Sequence, residues 1–174
     1  TFERDISDYG DFVVECGLGL KTSKPPVIDG VLSKGEWNQN AKMRTNREEQ
    51  VQILLAQQKW RGVNDLSSDT YVQWDDDNLY FAARVTDDVH FNNQDSNLIW
   101  QCDSIQMAFQ LNTAGKQEQD NTLRTEIGIA LGKDGKFVLC SYAKETGIEG
   151  NFENCELAVV RDGNQTIYEL RCPW

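Results

Sequence analysis

The sequence predicts an all-β fold, an antiparallel β-sandwich of the jelly-roll kind. Three observations predict it. Apolar and polar residues alternate in short runs, the period of a strand with one buried and one polar face. Turn residues separate the runs, at Asp75-Asp76-Asp77-Asn78, Gly132-Lys133-Asp134-Gly135 and Asp162-Gly163-Asn164. The longest apolar runs are of strand length, far short of a membrane span.

Taken in order, the first strand candidate covers residues 11–16 and is broken by Gly17, Gly19 and Pro25-Pro26. The Lys24-Pro25-Pro26 break divides residues 1–24, a first strand or a linker, from a sandwich over residues 25–174. Ile28-Asp29-Gly30 is a tight turn. Residues 33–37 fit one helical turn capped by Ser33, with Trp37 packed over one end of the core. Residues 38–50 are polar and read as loop, and residues 51–55 as a strand or the start of a short helix through Lys59. After a turn-rich stretch, residues 70–74 and 79–85 form a hairpin across the Asp75–Asn78 turn.

The most regular alternation starts at Ser104. Ile105, Met107, Phe109 and Leu111 point one way, and Ser104, Gln106, Ala108 and Gln110 the other. Residues 123–131 alternate again, with Thr125, Ile127, Ile129 and Leu131 on one face and Arg124, Glu126, Gly128 and Ala130 on the other. Residues 137–142, 155–160 and 166–172 complete the strands. Trp100 stands ahead of the Ser104 strand, among polar residues and outside the alternation. On the residues alone it either caps the core or stacks on the apolar face of a sugar ring whose hydroxyls neighbouring amides bond.

Charge and chemistry narrow the function. Against 28 Asp and Glu stand 17 Lys and Arg, a net charge of −11. Such a chain has no basic footprint for nucleic acid and does not suit an anionic membrane surface. It suits a secreted protein and divalent cations. The start, Thr1-Phe2-Glu3-Arg4-Asp5, lacks a signal peptide's regions, which reads as a mature form, an excised domain or a cytoplasmic protein. The five cysteines form no C-x-x-C pair, so no structural zinc site is expected. Most read as buried thiols, and a bridge such as Cys140–Cys155 stays open. His90 is the only histidine, and no nucleophile motif accompanies it, which argues against a catalytic triad. No spacing singles out a carboxylate pair for glycoside hydrolysis. The expectation is a non-catalytic protein.

Four pieces, in order, resemble a family 9 carbohydrate-binding module of the DOMON-like β-sandwich group. They are Pro26-Val27-Ile28-Asp29-Gly30-Val31-Leu32 with Glu36-Trp37; Val72-Gln73-Trp74-Asp75 running into Asn78-Leu79-Tyr80-Phe81-Ala82-Ala83-Arg84-Val85-Thr86-Asp87-Asp88; Trp100-Gln101-Cys102-Asp103-Ser104-Ile105-Gln106; and Ile167-Tyr168-Glu169-Leu170 leading to Pro173-Trp174. The resemblance implies binding of an oligo- or polysaccharide, with Trp100 as platform and Gln106 as hydrogen-bonding amide. Relatives often carry a glutamate at the position of Gln106, and an amide gives up charge-assisted strength. The resemblance also sets the strand of Arg124 and Glu126 beside the signature strand. Those two either bond sugar hydroxyls or form a surface ion pair of little consequence.

Structural calcium is the second implication, at Asp87, Asp88 and Asp103, with Asn93 and Asp95 in the intervening loop; hard cations want clustered oxygens. A plain solvated acidic loop is the alternative. Relatives clamp the sugar between two tryptophans, the second well after the Pro-Trp pair. The sequence given ends at Trp174, so it is a shortened form, or another segment completes the sandwich, or the module binds through Trp100 alone, one stacked ring being worth ~1 kcal/mol beyond its buried area. The module would deliver a larger secreted or cell-surface protein to polysaccharide. A structural or adhesive sandwich that has lost the sugar site is the rival reading.

Overall fold

The structure is a computed structural model describing residues 17–50, 59–94, 96–110, 124–132, 134–142 and 154–174. The expected strands at 11–16 and 51–55 lie outside those residues. Nine strands are described: β1 (Leu20–Lys21), β2 (Lys42–Thr45), β3 (Leu66–Trp74), β4 (Asn78–Asp87), β5 (Ile105–Gln110), β6 (Arg124–Leu131), β7 (Phe137–Ser141), β8 (Glu156–Asp162) and β9 (Gln165–Pro173). Short 3-10 turns at Gln39–Ala41, Glu48–Gln50 and Ser96–Gln101 join them. No helix among the described residues is long and apolar enough to cross a membrane.

The strands form two sheets. The larger runs β1-β3-β4-β9-β8, with β2 also on β3; the smaller runs β5-β6-β7. Every pairing is antiparallel except β1 on β3. The inward faces meet in one core. Phe81, Ala83, Tyr168 and Leu170 come from the large sheet, and Ile127 and Ile129 from the small one. Ile105, Met107 and Phe109 pack against that cluster, as their alternation predicts. The fold is an antiparallel β-sandwich.

The large sheet is covered on its outer face too. Trp37, Tyr71, Tyr80 and Ala82 make a second cluster there, so β4 is buried on both sides. Trp37 therefore packs on the back of the large sheet rather than over the end of the inter-sheet core. What holds it is Glu169, fully buried on β9. Glu169 accepts the Trp37 indole N–H at 2.9 Å and the backbone N–H groups of Asp29 and Gly30 at 3.1 and 2.7 Å. Gly30 sits at φ 83°, the left-handed backbone the Asp-Gly turn needs.

Three local expectations change. Residues 33–37 form a hydrogen-bonded turn rather than a helix, and the Glu36 carboxylate accepts from the backbone of Val27 and Ser33. The polar stretch 38–50 contains β2, whose Lys-Met-Arg-Thr sequence carries no alternation and is held by pairing with β3. β3 begins at Leu66, four residues before the expected strand, because Leu66 to Asp69 continue the ladder with β4. β1 lies ahead of Pro25, so Leu20–Lys21, before the Pro-Pro break, join the same sheet. The Asp75 turn is as predicted: its Oδ1 accepts from the backbone of Asp77 and Asn78, and its Oδ2 from the Tyr80 hydroxyl at 2.6 Å.

Candidate saccharide and cation sites

The outer face of the small sheet gathers the candidate sugar-binding residues. Ile127, Ile129 and Leu139 face the core, so the alternate positions, Gln106 on β5, Glu126 and Gly128 on β6 and Cys140 on β7, face outward. Gln106 pairs with Gly128, and Ala108 with Glu126. The 3-10 turn Ser96–Gln101 lies over β6 and β7. Its Ile99 is fully buried, as is Ala130 beneath. The next residue, Trp100, is thrown outward and is 54% exposed. Trp100 is therefore not a core cap: its neighbour Ile99 is the buried residue of the turn, and the indole is open to solvent. Gln106 is exposed as well. Arg124 is the first residue of β6, opposite Gln110; its side chain is not among those described.

Tyr142 is a member of this face that no motif singled out. Its N–H donates to the Glu126 carbonyl at 2.9 Å, and its ring lies across Gly128. A Cβ at residue 128 would stand 2.5 Å from the tyrosine hydroxyl, so only glycine admits the ring there. Burial, with the Cys140 thiol beside it, pushes the hydroxyl above its usual range. The paired signal, a glycine in one strand and a tyrosine just after the next, is too short-range to read without the register.

At one edge of the sandwich, Asp87, His90 and Asp103 bring one ligand atom each within 4.8 Å of one another. Asp87 ends β4. Its Oδ2 is buried with no hydrogen-bond partner among the described residues. Burial raises its carboxyl above the ordinary range, and Asp103 adds to that. Asp103 is fixed by a reciprocal pair, its carboxylate accepting the Phe91 N–H and its own N–H donating to the Phe91 carbonyl. His90 Nε2 lies 3.2 Å from the Leu131 carbonyl. Its Nδ1 faces Asp103 at 3.4 Å. Asp88 turns the other way and pairs with Arg61 at 3.0 Å, so it is not in this group. The two carboxylates suit a hard cation, and an imidazole nitrogen suits a borderline one.

A separate polar cavity of about 340 Å³ opens on the outer face of the large sheet, lined by Arg44, Asp69, Arg84 and Thr86 among others. It contains none of the candidate residues.

A sequence profile described as "Carbohydrate family 9 binding domain-like" matches residues 28–174. The chain belongs to that family. This family 9 domain is similar in fold to a family 9 carbohydrate-binding module from Caldicellulosiruptor kristjanssonii, solved in complex with glucose, with a TM-score of 0.57 and 16% identity over 89% of this chain and 68% of that one. A second structure, described as a family 9 module from the same organism in complex with cellotriose, gives 0.55 and 16% over 89% and 66%. The domain thus spans about two thirds of the length of those structures. No curated protein sequence matches it.

Proposed function

We propose that this family 9 domain binds a saccharide on the outer face of its small sheet, and that it serves as the non-catalytic module that brings a larger secreted or cell-surface protein to polysaccharide. The observation that carries the reading is the outward Trp100. A large aromatic ring held half-exposed over a polar face costs hydrophobic stabilisation unless a ligand covers it. Trp100 supplies the stacking platform. Gln106 and Glu126, with Arg124 at the start of the same strand, supply donors and acceptors for hydroxyls. The glucose and cellotriose complexes of the similar structures make β-glucans the first ligands to try.

Calcium belongs to the same proposal. It would lie between Asp87 and Asp103 and supplement Arg161, 3.9 Å from the Asp87 Oδ2, in neutralising that buried oxygen, which has no hydrogen bond among the described residues. By fixing Asp103 it would hold the loop that carries Trp100. The test is a glycan array run with calcium and again with chelator. Binding to a defined set of glycans, weakened by chelator, supports both parts. Binding indifferent to chelator keeps the sugar site and removes the calcium. An array silent in both states overturns the sugar reading in favour of a structural or adhesive sandwich.

A further inference from the structure

Cys155 and Cys172 face each other across the edge of the large sheet. β8 and β9 pair Leu157 with Leu170 and Glu156 with Arg171. One more step of that ladder sets Cys155 opposite Cys172, and their sulfurs are 2.8 Å apart. That is within 1 Å of a covalent S–S bond and well inside the contact distance of two unbonded thiols. Both side chains are partly buried against the inter-sheet core. The open alternative, Cys140 with Cys155, joins residues of different sheets, and Cys140 points to the far face of the small one.

The two thiols are also unlike. The hydrogen bond between them lowers Cys155 and raises Cys172, and the Arg171 guanidinium lowers Cys155 further. Cys155 is the better nucleophile of the pair.

We propose that Cys155 and Cys172 are a disulfide-forming pair that staples the edge strand β8 to β9. The oxidant is a low-molecular-mass disulfide. The Cys155 thiolate attacks one of its sulfurs, making a mixed disulfide and expelling one thiolate. The Cys172 thiol loses its proton to solvent and attacks the Cys155 sulfur, forming the internal bond and expelling the second thiolate. Two protein thiols are oxidised and one small disulfide becomes two thiols. The bond closes the free end of a hairpin whose other end is already closed by the turn at Gly163-Asn164. The two cysteines lie 17 positions apart, so the staple removes loop freedom from the unfolded chain.

Peptide mapping tests the pairing. The full chain is equilibrated with oxidised glutathione, its free thiols are blocked, and it is digested without reductant. A peptide linking Cys155 to Cys172 is expected, 2 Da lighter than the two reduced peptides together. Reductant should lower the melting temperature by about 6–12 °C. Cys155→Ala should melt at the reduced temperature with or without reductant, while Cys140→Ala keeps the full response. Recovery of both cysteines fully blocked, a Cys140–Cys155 link, or a melting temperature of the unmutated chain that ignores reductant would each overturn the proposal. The mapping needs no variant, so a misfolded mutant leaves it decisive.

Discussion

The Trp37 indole donates to Oε1 of Glu169 at 2.9 Å, while Oε2 of the same carboxylate accepts from the backbone of Asp29 and Gly30. One buried acid thus satisfies three donors from the entry segment. Glu169→Gln cannot do the same. Its amide offers one acceptor, so either the indole or the two backbone groups meet an NH₂. The expected loss is about 1–3 kcal/mol, seen as a melting temperature lower by roughly 3–10 °C. Burial raises the Glu169 pKa above the usual carboxylate range. Its native state therefore holds the proton more tightly than the unfolded chain. That contribution to stability is full below the ordinary range and is lost as pH rises through the raised value. Denaturant melts of the variant should lack that component, and an unchanged midpoint would show that Glu169 is not the anchor.

Trp100→Ala separates binding from folding. The ring is exposed and the anchoring is done by Ile99, so stability should move by less than ~1 kcal/mol while glucan binding falls at least tenfold. Ile99→Ala is the contrast, with an expected loss of about 2–5 kcal/mol. Calorimetry on both variants checks this pair; a large fall in the melting temperature of Trp100→Ala would place the ring in the core after all.

Gly128→Ala should disturb the same face from beneath. The new methyl would overlap the Tyr142 ring, whose displacement is expected to cost about 1–3 kcal/mol and to weaken saccharide binding with Trp100 and Gln106 intact. Tyr142→Ala in the Gly128→Ala background should recover part of the stability; if it recovers none, the two residues do not meet.

The cation proposal has its own signature. Calcium should raise the melting temperature by a few degrees at saturating concentration and do nothing for Asp103→Ala, while Asp88→Ala keeps the response, since Asp88 is engaged by Arg61. Equal responses in all three proteins would put the ion elsewhere.

Tyr80 predicts behaviour at high pH. Burial first, and its bond to Asp75, push its pKa up to about 12. The unfolded tyrosine ionises near 10, so this contribution to stability is full below pH 10 and lost as pH rises through about 12. Tyr80→Phe should flatten the alkaline loss of stability by up to ~2–3 kcal/mol, leaving that of Tyr168, which burial also raises to about 12. An absorbance titration of the phenolates at 295 nm follows both.

What the sequence revealed is what lies within one strand. Ile105, Met107 and Phe109 declare their face by period alone, and Asp75 to Asn78 declare a turn by the chemistry of their own side chains. What it hid depends on register. β2 has no period, because its place is set by pairing with β3. Tyr142 matters only because β7 sets it across Gly128. His90 joins Asp87 and Asp103 through a carbonyl of β6, 41 positions along the chain. The direction of Trp100 followed from a different cause, the 3-10 turn that buries its neighbour Ile99 and so turns the indole outward.

The Glu169 anchor also imposes a timetable on synthesis. The carboxylate is added 140 positions after the Asp29 amide it receives, and β9 occupies the middle of the large sheet, between β4 and β8. While the ribosome is still making that strand, the entry segment has no latch and β4 shows a bare ladder edge. A nascent chain in this state is open to pairing with another strand, its own or a neighbour's. The late contact is thus built in by where one glutamate falls in the reading order.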